Sequence, residues 1–144
     1  MEKRYKPKCD KLFYILFSVT NLIVLVPCII YLFFDPTLLW IFIPITLFCN
    51  YFLVSPLFGY AELRESELFI KYGFIIKRSI PYLKIRSVSL DRKFYSETML
   101  SLKNSFEHVI IKYNRFDVTC VSVKENADFI ADLSARINEA KAKI

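Results

Sequence analysis

Glycine and histidine are scarce in this sequence of 144 residues, and their scarcity excludes several kinds of site. The two glycines are Gly59 and Gly73, so the chain has no glycine-rich loop to cradle a phosphate group. The single histidine, His108, alternates with apolar residues in a strand-like run, which favours a structural or surface role over general-base catalysis. No Ser, His and Asp residues have the spacing of a catalytic triad. The sequence therefore predicts a protein that is not an enzyme.

The four cysteines also lack a functional pattern. Cys9, Cys28, Cys49 and Cys120 do not show the short spacing of zinc ligands. Two of them lie in apolar runs, and the other two lie in segments that we place on the reducing side of a membrane. We therefore expect four free thiols, no disulfide framework, no metal site and no cofactor.

Charged residues are missing from two long runs, 12–34 and 37–60. A bilayer core of roughly 30 Å needs about 20 helical residues, because each residue of an α-helix adds about 1.5 Å. Both runs are long enough, and a charge at the centre of either helix would cost about 2.5 to 3.5 kcal/mol on insertion. A buried helix pair is the alternative, but so short a chain has little to cover two such helices. A cleaved signal peptide fits poorly, because a second apolar run follows the first.

The short connection Phe34–Thr37 indicates a two-helix transmembrane hairpin, with helices at about 12–34 and 37–58. The segment ahead of the first helix is basic, with Lys3, Arg4, Lys6, Lys8 and Lys11. The connecting turn has no Lys or Arg, so the positive-inside rule places both termini in the cytoplasm. We predict a multi-pass protein of the cell (inner) membrane. Residues 1–58 would form the basic segment and the helices, and residues 59–144 a cytoplasmic domain.

Few polar residues interrupt the two runs. Asn21 and Asn50 are either part of a transport path or partners in a hydrogen bond between the helices. No ionisable residue lies within either run, which favours the hydrogen bond over ion coupling. Such polar residues are also compatible with helices that associate with a partner in the membrane.

After residue 58 the pattern changes to short alternating runs that are typical of β-strands. The runs 106–113 and 116–123 flank Asn114 and Arg115, and they predict a β-hairpin. A loop over 92–100 leads into a short strand near residues 100–102.

The last segment has helical spacing instead. Ser122 and Glu125 have the spacing of a capping box. An apolar stripe follows, made of Phe129, Ile130, Leu133, Ile137 and Ala140. The stripe would close the open end of a curled sheet, and docking of this helix on the membrane is the alternative. About seven antiparallel strands and a C-terminal helix make an α+β, mainly-β fold: a PH-like barrel after the hairpin.

Residues 60–133 resemble the bacterial PH domains of the YyaB-like type, a family formerly uncharacterised. The first matching motifs are a Tyr-led strand, L-x-I-x-x-G, an Ile-Pro pair and Ile-x-x-Val, which fall on Tyr60, Leu68, Ile70, Gly73, Ile80, Pro81, Ile85 and Val88. The second set of matches is Leu100, Ser101, Ile111, Tyr113, Ser122, Lys124, Phe129, Ile130 and Leu133. Val123 replaces a usual proline, and residues 104–107 depart from a basic stretch.

This resemblance implies a non-catalytic binding module. Similar proteins also carry membrane helices ahead of the domain. At least one of them is implicated in self-protection against a bacteriocin peptide. An immunity or assembly role that acts through the transmembrane helices is therefore the alternative function.

Basic residues are the remaining candidates for a site. Those that we predict to contact the membrane surface are Lys71, Lys77, Arg78, Lys84 and Arg86. A solvated surface of mixed charge is the alternative. The first hairpin loop, Glu65–Glu67, is short and acidic, whereas eukaryotic PH domains carry their basic headgroup motif there. The partners that we predict are the lipid bilayer and a peptide or protein added at a sheet edge, with an oligomer left open. We predict no nucleic acid, because 15 basic and 11 acidic residues after residue 58 give a weak field.

Overall fold

Two helices follow one another near the start of the chain in the computed structural model, which describes residues 3–34, 36–93, 95, 98 and 101–143. Helix α1 is Lys11–Phe34, and helix α2 is Leu39–Val54. Single 3₁₀ turns flank α2, at Pro36–Leu38 and Ser55–Phe58. The two helices pack on each other, with the rings of Tyr31 and Phe42 stacked at 5.4 Å.

Length and composition separate the two helices. Among the described residues, α1 is the one helix long and apolar enough to cross a membrane. Its most apolar stretch of 18 residues contains no buried residue. Helix α2 is apolar too, but its 16 residues are fewer than the roughly 20 that a membrane-spanning helix needs. The two-span hairpin over 12–34 and 37–58 therefore stays a prediction.

Asn21 and Asn50 do not make the predicted hydrogen bond between the helices. Each side chain bonds within its own helix instead. The side-chain amide of Asn21 donates to the carbonyl of Phe17 at 2.9 Å. The amide of Asn50 donates to the carbonyl of Thr46, also at 2.9 Å. Each bond joins a residue to the preceding turn of its own helix, a local pairing that polar side chains adopt in apolar surroundings.

The described residues form two four-stranded sheets. The first sheet is antiparallel and has the order β1-β2-β3-β4, with β1 at Lys3–Tyr5, β2 at Tyr60–Leu63, β3 at Glu67–Lys71 and β4 at Lys77–Pro81. The second sheet has the order β5-β7-β8-β6, with β5 at Ile85–Arg92, β6 at Ser101–Leu102, β7 at Glu107–Tyr113 and β8 at Asp117–Val121.

The expectation of about seven antiparallel strands needs two corrections. The described residues contain eight strands, because Lys3–Tyr5 adds one ahead of the helices. Strand β6 pairs with β8 in parallel. Strand β6 has two residues, too few to show an alternating pattern, so no local signal indicates its direction. The predicted β7–β8 hairpin is present, and Asn114 takes the positive φ of 50° that its turn requires.

Helix α3, Asn126–Ala142, covers the core between the sheets. Phe129, Leu133 and Ile137 are buried there, which confirms the predicted stripe. The predicted capping box is absent. The Ser122 hydroxyl donates instead to the carbonyl of Glu107, and Glu125 makes no side-chain cap hydrogen bond. The result is a PH-like β-sandwich closed by a C-terminal helix.

The segment between β1 and α1 joins the two sheets. Tyr5 pairs with Ala61 in the first sheet. A few residues later, the backbone N–H of Lys8 donates to the Ser122 carbonyl at 3.0 Å, and that of Asp10 donates to the Asn104 carbonyl at 2.9 Å. The residues ahead of α1 thus contribute to the domain that the prediction began at residue 59.

Candidate functional site

The strands of both sheets run between two ends of the domain. We call the end that touches the two helices the proximal end, and the opposite one the distal end. The proximal end includes the turn between β3 and β4, because β2 starts beside α2 and the chain reverses once before Lys71, which pairs with Tyr60. It also includes residues 103–106, which precede β7 and contact the start of α1. The distal end includes the β7–β8 turn, residues 114–116.

The end of α2 is fastened to the β3–β4 turn. The backbone N–H of Phe74 donates to the Ser55 hydroxyl at 3.2 Å. The ring of Phe74 lies 4.9 Å from that of Phe58 and 5.9 Å from that of Tyr51. Gly73 has φ +129°, and a Cβ at this position would lie 1.8 Å from the Ser55 Oγ atom. Only glycine combines this backbone conformation with so close an approach.

A buried tyrosine holds the same turn from the other side. The hydroxyl of Tyr72 lies 2.5 Å from that of Thr119 in β8, so the turn is tied to the second sheet. Burial raises the pKa of Tyr72 to about 12, and the group is therefore neutral at physiological pH. The backbone N–H of Tyr72 also donates to the Ile76 carbonyl at 2.8 Å and closes the turn.

The start of α1 borders a crevice of about 160 Å³ at the proximal end. One wall is apolar, with Leu12, Phe13 and Leu16, and the other is residues 103–106. The Asp10 carboxylate accepts a hydrogen bond from the Phe106 N–H at 2.9 Å, which fixes the two walls. His108 lies just behind this segment and is fully buried, with Nδ1 3.0 Å from the Phe106 carbonyl oxygen. This geometry agrees with a structural role for His108.

Three apolar side chains at the β3–β4 turn are exposed to solvent. They belong to Phe74, Ile75 and Ile76, and the exposed fraction of Ile75 is 70%. We call Gly73–Ile76 the apolar turn. Ile75 and Ile76 continue the strand-like alternation of the following residues, but β4 begins only at Lys77. A signal was nevertheless present, since three consecutive apolar residues directly after a glycine are unusual for a solvated turn.

The structure separates the five predicted surface residues. Lys71 and Lys77 lie opposite each other at the apolar turn, as partners in the β3–β4 ladder. Arg78 is next on β4, where its guanidinium donates to the Tyr113 hydroxyl and lies 5.5 Å from the centre of that ring.

The other two predicted residues lie at the distal end. The Lys84 carbonyl accepts a hydrogen bond from the N–H of Asn114 at 3.0 Å. The Arg86 guanidinium donates to the Arg115 carbonyl, also at 3.0 Å. Lys84 and Arg86 therefore lie at the opposite end of the domain from Lys71 and Lys77.

Comparison with known families identifies the two-sheet domain. A sequence model of the family described as Bacterial PH domain matches residues 60–137. The chain belongs to the bacterial PH domain family. The match runs from the first residue of β2 into α3, so it covers both sheets apart from β1. Neither the curated proteins nor the solved structures gave a significant match to the chain.

Membership of the bacterial PH domain family bears on chemistry. PH domains are generally non-catalytic modules that bind lipids or proteins. Among the residues that the structure describes, no group of three or more His, Cys, Asp or Glu side chains is arranged to hold a metal ion. The features that stand out in this bacterial PH domain are its proximal end and the helix pair joined to it.

Proposed function

We propose that this protein is a membrane-anchored binding module: a bacterial PH domain that a two-span helical hairpin holds against the cytoplasmic face of the cell membrane. The domain would bind a peptide, protein or lipid at that surface without catalysing a reaction. A more specific placement in the YyaB-like type is part of the same proposal.

The pairing of β1 with β2 supports the hairpin most strongly. Lys3, Arg4 and Tyr5 pair with Leu63, Glu62 and Ala61, and both helices lie between these strands in the chain. Paired strands are about 4.8 Å apart, whereas a bilayer core is roughly 30 Å thick, so paired strands lie on one side of a membrane. If α1 crosses the membrane, the chain must therefore cross back before Tyr60.

The second arm of the hairpin is long enough for this return. Helix α2 has 16 residues, and the 3₁₀ turns around it extend the helical segment to residues 36–58. With about 1.5 Å per α-helical and about 2 Å per 3₁₀ residue, the arm is about 38 Å long. The segment has no charged residue, and the basic residues ahead of α1 indicate a cytoplasmic start.

The open edges of the sheets suit a peptide or protein partner. Strand β4 is an edge of the first sheet and β5 an edge of the second. Most residues of β4 are exposed, including Lys77 and Arg78. An extended segment could add to such an edge through backbone hydrogen bonds. The alternative in which the helices themselves recruit a partner has less support, because the amides of Asn21 and Asn50 are already bonded within their own helices.

Thiol labelling in intact bacterial cells tests the topology. The full chain is expressed with its four native cysteines replaced, and either Thr37→Cys or Ser66→Cys is added. Thr37 lies in the connection between the helices, and Ser66 is an exposed residue of the distal turn between β2 and β3. A membrane-impermeant maleimide should modify Thr37→Cys in intact cells and Ser66→Cys only after lysis. Labelling of Thr37→Cys only after lysis would contradict the hairpin, and labelling of Ser66→Cys in intact cells would contradict the cytoplasmic domain.

A further inference from the structure

We infer that the apolar turn, Gly73–Ile76, is a second membrane anchor, which places its side chains among the lipids while Lys71 and Lys77 meet lipid phosphates. This inference rests on the proposed function, because the membrane that surrounds α2 in that proposal is the one that the turn would enter. Its ligand is the surface of a bilayer that contains anionic phospholipid.

The exposure of the apolar turn is the first observation. Phe74, Ile75 and Ile76 are consecutive, and none of them is buried in the domain core. Single exposed apolar residues are common on protein surfaces, but a contiguous exposed group marks an interaction site. Phe116 at the distal end is an example of the single kind, and the Arg115 guanidinium lies 5.3 Å from the centre of its ring.

The position of the turn is the second observation. The Phe74 ring contacts Tyr51 and Phe58, which lie on either side of the end of α2. The close approach of Gly73 to Ser55 fixes the turn beside the residue that directly follows α2. The exposed surface of the turn is thus continuous with that of α2. A bilayer that surrounds α2 would also cover the turn.

The charges beside the turn are the third observation. Lys71 and Lys77 are directly opposite each other across β3 and β4, an arrangement that is unfavourable for like charges in water. Phosphates of anionic lipids at the same level would neutralise this repulsion. Aromatic and aliphatic side chains flanked by lysines are the composition of segments that lie in the membrane interface. A protein partner would not account for the continuity with α2, so the observations favour lipid.

Tryptophan fluorescence tests the inference, because the chain has one tryptophan, Trp40, at the start of α2. The full chain is reconstituted in vesicles of phosphatidylcholine and phosphatidylglycerol whose acyl chains carry bromine near the headgroup. The test protein is Trp40→Phe/Ile75→Trp, and the matched control is Trp40→Phe/Phe116→Trp. Both new positions are highly exposed, so neither substitution disturbs the core. The unsubstituted protein reports on Trp40 and therefore on the hairpin itself.

We expect brominated lipid to quench the test protein and to shift its emission to shorter wavelength, while the control keeps a water-like spectrum. Quenching of Trp40 without quenching of the test protein would overturn the anchor and leave the hairpin intact. Quenching of the test protein without quenching of Trp40 would support the anchor and overturn the hairpin. Absence of quenching in both the unsubstituted and the test protein would overturn the hairpin and the anchor. Equal quenching of the test protein and the control would overturn the anchor.

Discussion

Leu22 in α1 and Leu68 in β3 are the same residue type in opposite surroundings. The exposed fraction of Leu22 is 65%, whereas Leu68 is fully buried. The same contrast separates the helix pair from the two-sheet domain as a whole, since the core cluster of buried residues includes none from α1 or α2. The domain therefore removes its apolar side chains from water by its own folding. The helices leave their apolar side chains exposed, as the proposed bilayer location of these segments requires.

The comparison also shows where the two regions are joined. Two contacts at the proximal end connect them: Asp10 with Phe106, and Ser55 with the turn at Gly73 and Phe74. Strand β1 adds a third connection, because it precedes the helices in the chain but belongs to the first sheet. The orientation of the domain relative to the helices is thus fixed by contacts at the start of α1 and at the end of α2.

The largest expected effect is in the core of the domain. Phe129 is fully buried and its ring contacts that of Tyr5 at 5.1 Å, whereas Phe116 is 83% exposed. Phe129→Ala should lower the free energy of unfolding by about 3 to 5 kcal/mol, because it leaves a cavity. The control Phe116→Ala should change it by less than about 0.5 kcal/mol. Urea unfolding of the full chain in detergent micelles, followed by circular dichroism, measures both. Equal losses would show that the two-sheet domain has no packed core of this kind.

An intermediate effect is expected at the joint between the regions. Gly73→Ala places a methyl group against Ser55 and forces alanine into φ +129°. Strain of this kind costs about 1 to 3 kcal/mol, so the turn should detach from α2. Limited trypsin digestion measures this as faster cleavage after Lys71 and Lys77. The matched control is Ile75→Ala in the same turn, whose exposed side chain can shrink without strain. Unchanged cleavage in Gly73→Ala would mean that the turn is not fastened to α2.

The smallest expected effect concerns pH and the segment ahead of α1. A hydrogen bond from Lys3, at 2.6 Å, lowers the pKa of Asp132, and one from Lys8, at 3.1 Å, lowers the pKa of Glu107. A carboxylate whose pKa is lowered by folding stabilises the folded state above its ordinary pKa. This contribution disappears as the pH falls through the lowered value. The attachment of β1 should therefore weaken in acid, and only slightly, because solvent reaches both pairs and screens them.

Unfolding midpoints measured between neutral and strongly acidic pH check this expectation. Asp132→Asn should flatten the acid part of the curve, since the amide cannot titrate. Asp128→Asn is the matched control, because Asp128 is an exposed carboxylate one turn earlier in α3. If both variants flatten the curve equally, the contact between Lys3 and Asp132 does not hold the segment.

Much of the fold could be predicted because periodicity is a local property of the chain. The charge-free runs mark α1 and α2, and helical spacing marks the buried face of α3. Alternation predicts the β7–β8 hairpin, and Pro81 marks the end of β4. The basic residues beside the turn, Lys71 and Lys77, could also be named from composition alone.

The rest depends on which distant segments meet. The sequence around Lys3–Tyr5 is short and basic, so nothing local shows that it pairs with β2 across the helices. The sequence also grouped Lys84 and Arg86 with Lys71 and Lys77, although the strands carry the two pairs to opposite ends. The sequence by itself determined which segments are apolar, alternating or helical. The tertiary structure decided which edge strand β1 completes and which turn lies beside α2, because both follow from packing between residues far apart in the chain.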